Sequence, residues 1–222
     1  DSGLLKLSGD DYKQPDEWTT QIVEIFNKVL PCISVAHHLS HAAYAYYTSP
    51  FHQGKTAAIT WDGGGDFYTE DAYSSTTISS WNNGRLEWLK RIDNSDFGSL
   101  WFTYSRAIFG DGNMAGKLMG LAAYGSDTLL EAFRDRFLAP VSGILEGART
   151  VNNCWPDYLD PPFLPKNPDW KDKLVQDVAF AIQKITEEAG MSLIEKFASV
   201  VENENLVLGG GVTLNGYLNT MI

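Results

Sequence analysis

The sequence predicts an α/β protein, and three observations predict it. Three strand-like segments follow one another between residues 55 and 92, the last two joined by an Asn-Gly turn. A long stretch of helical periodicity runs from Trp170 to Val201. A short apolar segment, Leu206-Val207-Leu208, follows that helix and runs into three glycines. The 222 residues are 44% hydrophobic and 13% aromatic, enough to bury a core in one large domain or two lobes.

In chain order, residues 1 to 16 are polar without clear periodicity and read as loop. Trp18, Ile22, Ile25, Phe26 and Val29 recur at helical spacing, predicting a helix that opens at Pro15-Asp16-Glu17 and ends at Pro31. Cys32 to Ala36 reads as a short buried strand leading into a second helix from His37, closed by Pro50. On that helix Leu39, Ala43 and Tyr46 or Tyr47 form an apolar stripe, while His37, His41, Tyr44 and Thr48 share another face. Thr56 to Trp61 is small and apolar, the clearest strand, and runs straight into Asp62-Gly63-Gly64-Gly65-Asp66. Residues 67 to 80, rich in Thr, Tyr and Ser, form the next strand. Asn82-Asn83-Gly84 makes the turn, and Arg85 to Ile92 is the third strand.

Asp93-Asn94-Ser95-Asp96 offers N-caps for a helix over Phe97 to Phe109, whose Trp101, Phe102, Tyr104 and Phe109 read as core. Residues 126 to 138 look helical. Six prolines between Pro140 and Pro168 predict an irregular surface excursion, with short strand pairing around Gly147 to Val151. In the long helix Leu174, Val178, Ile182, Ile185, Leu193 and Phe197 point inward, and Gly190 marks a kink. Gly209-Gly210-Gly211-Val212 then turns the last strand into a new helix.

From residue 55 the order is three antiparallel strands, helix, variable middle, long helix, strand, glycine turn, helix. That is the order of one lobe of the actin-like, RNase H-like architecture shared by actin and the sugar kinases, in which a nucleotide sits between two lobes. The predicted organisation is that α/β two-lobe architecture, here incomplete. Residues 1–54 would be a remnant of the first lobe carrying the histidine helix, and residues 55–222 the second lobe, truncated at its C-terminal end.

The formal net charge of -11 argues against a surface built to neutralise nucleic-acid phosphates. No apolar run approaches the roughly 18 residues that span a bilayer, and no basic-then-apolar leader is visible. The two cysteines, Cys32 and Cys154, form no paired motif. Together these predict a cytoplasmic protein without a membrane partner.

Three of the four histidines lie between His37 and His41. On a helix His37 and His41 share a face, so their imidazoles can close on one metal ion, iron, zinc and nickel being equally suited. Gly63, Gly64 and Gly65 let backbone N–H groups approach a phosphate, because no Cβ intervenes. Gly209, Gly210 and Gly211 precede a helix whose N-terminus can face an anion or a nucleoside, and Asn215 follows within hydrogen-bonding range of ribose or phosphate.

Four runs then resemble one family in order and approximate spacing. They are His37-His38-Leu39-Ser40-His41-Ala42-Ala43, Ile59-Thr60-Trp61-Asp62-Gly63-Gly64-Gly65, Gly116 to Gly125 (Gly-Lys-Leu-Met-Gly-Leu-Ala-Ala-Tyr-Gly), and Leu206 to Asn215 (Leu-Val-Leu-Gly-Gly-Gly-Val-Thr-Leu-Asn). They resemble the O-carbamoyltransferases of the nodulation-protein-U and antibiotic-tailoring kind. The resemblance implies that a neighbouring domain makes carbamoyl-adenylate from carbamoyl phosphate and ATP. The actin-like domain would then transfer the carbamoyl group to a hydroxyl of a small-molecule acceptor.

It further implies a divalent ion, Fe(II), held by His37 and His41, with Asp62 as a third ligand directly or through water. Under it His38 meets the transferred group or acts as a base on the acceptor hydroxyl, a packed core histidine being the other reading. Lys117 meets adenylate phosphate or the carbamoyl oxygen. Ala123 departs from the usual Pro, Asp66 from the usual Glu, and Gly64 from a small branched residue. The family's opening strands, a later Gly-Asp-Asp-Gly motif and the adenylate-forming domain are not in this sequence. Two alternatives remain: a tRNA threonylcarbamoyl transferase-like enzyme, and a non-catalytic nucleotide- or metal-binding module.

Overall fold

The computed structural model describes residues 6–7, 18–25, 27–65, 74–93, 95–152, 159–200 and 205–222. The chain opens with β1 (Lys6–Leu7), β2 (Trp18–Ile25) and β3 (Lys28–Val35), an antiparallel sheet in that order. The helix expected from Trp18 to Val29 is therefore a hairpin. Its spacing suits a helix, but Thr19, Thr20, Ile22, Val23, Ile25 and Val29 are β-branched and favour extended backbone. Asn27 takes a φ of 60°, which Asn tolerates in the tight connection between paired Ile25 and Lys28. Pro31 sits within β3 without ending it, as an edge strand allows. The stretch Cys32 to Ala36, expected to be a buried strand, is mostly open: Ile33 and Val35 keep 67% and 45% of their surface, and Ala36 alone is buried. Apart from Lys6 and Leu7, the expected loop over residues 1 to 16 lies outside the described residues.

Next come α1 (His37–Thr48), β4 (Thr56–Trp61), β5 (Ser74–Asn82) and β6 (Arg85–Asp93). The meander is antiparallel, and its expected turn has Asn83 at φ 48° and Gly84 at φ 76°, the positive pair that a type I′ hairpin demands. The first part of the expected second strand, residues 67 to 73, lies outside the described residues. Helix α2 (Phe97–Phe109) follows, its Ser99 N–H donated to the Asp96 carboxylate and its end closed by Gly110 at φ 77°. Short helices α3 (Ala115–Leu121) and α4 (Leu130–Phe137) lead to a two-stranded ribbon of β7 (Leu138–Pro140) and β8 (Arg149–Val151).

Helix α5 (Lys173–Val200) runs unbroken through Gly190, which makes room for Leu218. Val175, not Leu174, starts its buried stripe, and Leu174 is exposed. Strand β9 (Asn205–Gly209) then pairs in parallel beside β4, giving the mixed sheet order β6-β5-β4-β9. The expected final helix is a 3₁₀ turn at Gly211–Leu214 followed by the single-turn α6 (Gly216–Asn219).

Every residue of β4 is buried, because the sheet is covered on both sides. Ala57, Ile59 and Trp61 face the large core with Leu100, Trp101 and Ile182 of α2 and α5. Ala58 faces α1, packing with Ala42, Tyr46 and Trp81, and Tyr46 stacks on Trp81 with centroids 4.8 Å apart. The buried stripe of α1 accordingly runs through His38, Ala42 and Tyr46, with Leu39 and Ala43 at its edge. Among the described residues no helix is long and apolar enough to cross a membrane.

The start of α2 is pressed onto the loop after β4. A Cβ built on Gly98 would lie 2.3 Å from the Gly63 backbone. Gly98→Ala is therefore expected to cost about 1–3 kcal/mol by overpacking against backbone that cannot yield, read as a lower urea midpoint with little change in slope.

Candidate metal centre and the cavity beside it

Strand β4 delivers Asp62 to the edge of the core, and α1 brings two imidazoles over it. His37 Nε2 lies 3.0 Å from Asp62 Oδ2 and His41 Nε2 lies 2.7 Å from the same oxygen. The other carboxylate oxygen accepts the Gly63 N–H at 2.8 Å, and the Asp62 backbone N–H is donated to the Ser75 carbonyl, which holds the residue's main chain. The two imidazole rings stand edge to face with centroids 4.7 Å apart. The ligand atoms of the three residues all lie within 4.8 Å of one another, the one such cluster of three or more among the described residues. Side-chain exposures of 42%, 34% and 23% for His37, His41 and Asp62 leave the cluster open to solvent on one side.

Two neutral imidazoles and a carboxylate with open positions are a donor set for a borderline divalent ion such as iron(II) or zinc(II). Burial works to raise the Asp62 carboxyl. The His37 hydrogen bond, the Gly63 N–H and the charges of His37 and His41 together outweigh it, bringing the carboxyl down to about 2.

The glycines of the last turn have separate tasks. A Cβ on Gly209 would lie 2.9 Å from the His41 carbonyl oxygen, so this glycine lets β9 close against the histidine helix. Gly210 sits at φ 92° directly under the Trp61 carbonyl, a place and conformation that exclude any side chain. Gly211 lies beside Asp62 Oδ1.

A cavity of about 620 Å³ adjoins Asp62, within the range of small-molecule sites. Gly63, Gly211 and Asn215 line it, as expected residues; Gly64, Gly65, Gly209 and Gly210 do not. Lys117 is exposed on α3, while Ala115, Gly116 and Met119 of the same helix line the cavity. His38 is 2% exposed, with Nδ1 2.7 Å from Thr60 Oγ1, which in turn lies 2.7 Å from Thr77 Oγ1. Its ring is thus part of the packing between α1 and the sheet.

Sequence reasoning missed the aromatic wall. Trp101 and Phe102, read as core, line the cavity with Gly98, Ser99 and Val212. Nothing in an aromatic-rich helix separates cavity wall from core. It also missed Gln183 and Glu187, buried on α5 at 3% and 5% exposure, and here a signal existed. Two polar residues four apart interrupt a stripe of Val178, Ile182 and Ile185.

A family model described as "Carbamoyltransferase N-terminus" matches residues 5–222. The chain belongs to the carbamoyltransferase family. It is 30% identical over 203 residues to an uncharacterized protein of Synechocystis sp., covering 85% of this chain and 31% of that protein. It is 25% identical over 206 residues to an uncharacterized protein of Methanocaldococcus jannaschii, covering 84% of this chain and 32% of that one. The chain thus spans about a third of the length of the curated relatives it matches.

Two outcomes are expected. His37→Ala, His41→Ala and Asp62→Asn should each weaken iron(II) or zinc(II) binding at least about tenfold in calorimetry, with the far-UV circular dichroism unchanged. In the metal-free protein the Asp62 contact contributes stability that is fully present above its ordinary value of 3.8 and is lost as pH falls through about 2. Asp62→Asn should flatten that acid limb of the stability profile.

Proposed function

We propose that this chain is the metal-binding part of an O-carbamoyltransferase catalytic domain, passing a carbamoyl group from carbamoyl-adenylate to a hydroxyl of a small-molecule acceptor. The observation that carries this reading is the convergence of His37 and His41 on Asp62, itself a wall residue of a cavity of about 620 Å³, in a chain of the carbamoyltransferase family. The actin-like lobe is part of the same proposal. It is supported by the β4–β5–β6 meander and by the return of β9 in parallel beside β4.

In the reaction the acceptor oxygen bonds to the carbamoyl carbon, the bond from that carbon to the adenylate oxygen breaks, and AMP leaves. The hydroxyl proton passes to water or a base. His37, His41 and Asp62 would hold a divalent ion, iron(II) in this proposal, which when bound supplies Lewis-acid polarisation of the carbamoyl carbonyl. Asp62, with its carboxyl near 2, is too weak a base to take the hydroxyl proton, so its assigned part is ligand. Gly211 would bring its backbone close to the phosphate, the Gly63 N–H being already held by Asp62, and Trp101 and Phe102 would give the nucleoside an apolar wall. His38 is assigned to seating α1 on β4, and Lys117 no contact inside the cavity.

Carbamoyl-adenylate formation and the acceptor site are proposed for the whole protein. Its full-length form, given carbamoyl phosphate, ATP and iron(II), should release AMP in step with carbamoylation of one member of a hydroxyl-acceptor panel. His41→Ala should lower that transfer about a hundredfold or more, beyond the loss a neighbouring supporting residue causes. A full-length protein that binds the ion yet releases AMP with no acceptor carbamoylated would overturn the reading.

A further inference from the structure

Three buried side chains form a continuous polar path from α5 to the cavity. Gln183, Glu187 and Asn215 are 3%, 5% and 7% exposed. Gln183 and Asn215 face each other amide to amide: Gln183 Nε2 donates to Asn215 Oδ1 at 3.1 Å, and Asn215 Nδ2 donates to Gln183 Oε1 at 3.0 Å. Gln183 Nε2 also donates to Glu187 Oε1 at 2.8 Å, and the other Glu187 oxygen accepts from Lys184 Nζ at 2.6 Å. At the far end Asn215 Oδ1 accepts the Leu218 N–H at 3.0 Å.

An amide can be turned over, exchanging donor for acceptor, but neither end of this path permits it. The Glu187 carboxylate accepts only, so it demands the NH₂ of Gln183. The Leu218 N–H donates only, so it demands the oxygen of Asn215. Both ends agree on one arrangement, and in it Asn215 keeps one N–H that no described residue accepts. Asn215 lines the cavity.

We infer that Gln183 and Glu187 are positioning residues that lock the Asn215 amide with a donor turned to the bound nucleotide. The cavity thereby selects a ligand with an acceptor atom at that point, a ribose oxygen or a ring nitrogen. This rests on the proposal that the cavity holds the adenylate. A buried donor left without an acceptor is costly, which gives the lock its selectivity.

The polarity argument distinguishes a lock from mere packing. In Glu187→Gln the new amide has one oxygen, and Lys184, a donor only, claims it. The new NH₂ then confronts the NH₂ of Gln183 and the path no longer agrees with itself. Adding Lys184→Met frees that oxygen to turn back to Gln183.

The test is calorimetric titration of AMP into the iron(II)-loaded full-length protein, with iron(II) titrated separately into the metal-free protein without AMP. Glu187→Gln should weaken AMP about tenfold and leave iron(II) unchanged, and Lys184→Met/Glu187→Gln should regain most of the affinity. Should Glu187→Gln fail to fold, Asn215→Asp decides: it keeps the oxygen that caps Leu218, replaces the donor with an acceptor, and should weaken AMP at least tenfold with iron(II) retained. Unchanged AMP affinity in either variant, or a double variant as weak as the single one, overturns the lock alone. A wild-type protein that takes iron(II) and ignores AMP overturns the nucleotide reading beneath it.

Discussion

The burial of β4 on both faces governs this structure. Six consecutive residues, Thr56 to Trp61, have no exposed side, because α1 lies on one face and α2 with α5 on the other. A strand so enclosed must read as a continuous small apolar run, and it ends abruptly where the two coverings part. Asp62 is the first residue beyond that enclosure. The histidine helix reaches it from one face and the α2 start reaches its neighbour Gly63 from the other. The site is thus the open end of the three-layer core, at the carboxyl end of a strand with a parallel neighbour, where α/β sheets commonly present ligand-binding groups.

The sequence made the meander readable because its punctuation is local. Asn83-Gly84 has to take positive φ, and Asp96 has to cap α2, whatever lies around them. The β2–β3 hairpin was not readable by spacing. Its apolar positions satisfy a helical period, and the deciding information lay in β-branching and in Asn27. The histidine pair was legible because four residues on a helix is also local geometry. That Asp62 would meet both imidazoles depended on how α1 crosses β4, which is set by Ala42, Tyr46, Ala58 and Gly209. The three glycines of the last turn look equivalent in the sequence. One admits the histidine helix, one makes the turn under Trp61, and one borders Asp62. Only contacts from distant segments separate them.

Charge constrains the ligand proposed for this end of the core. The chain carries a formal charge of -11, and among the described residues no lysine or arginine lines the cavity. Among the described residues the one ionised group on its wall is Asp62, held as a carboxylate by imidazoles and a backbone N–H. A phosphate approaching it would meet a like charge in a partly desolvated place, a repulsion of some kcal/mol at the intermediate dielectric of such sites. Backbone N–H groups soften this without reversing it. A divalent cation between the imidazoles and the carboxylate reverses the sign, and it does so where the phosphate end of a nucleotide would have to lie. If the cluster holds the proposed ion and the cavity the proposed nucleotide, the two are thermodynamically linked: each raises the affinity of the other by the same factor. On the proposed reading the cluster at His37, His41 and Asp62 is a condition for the cavity to accept an anion at all, apart from any part it would have in the chemistry.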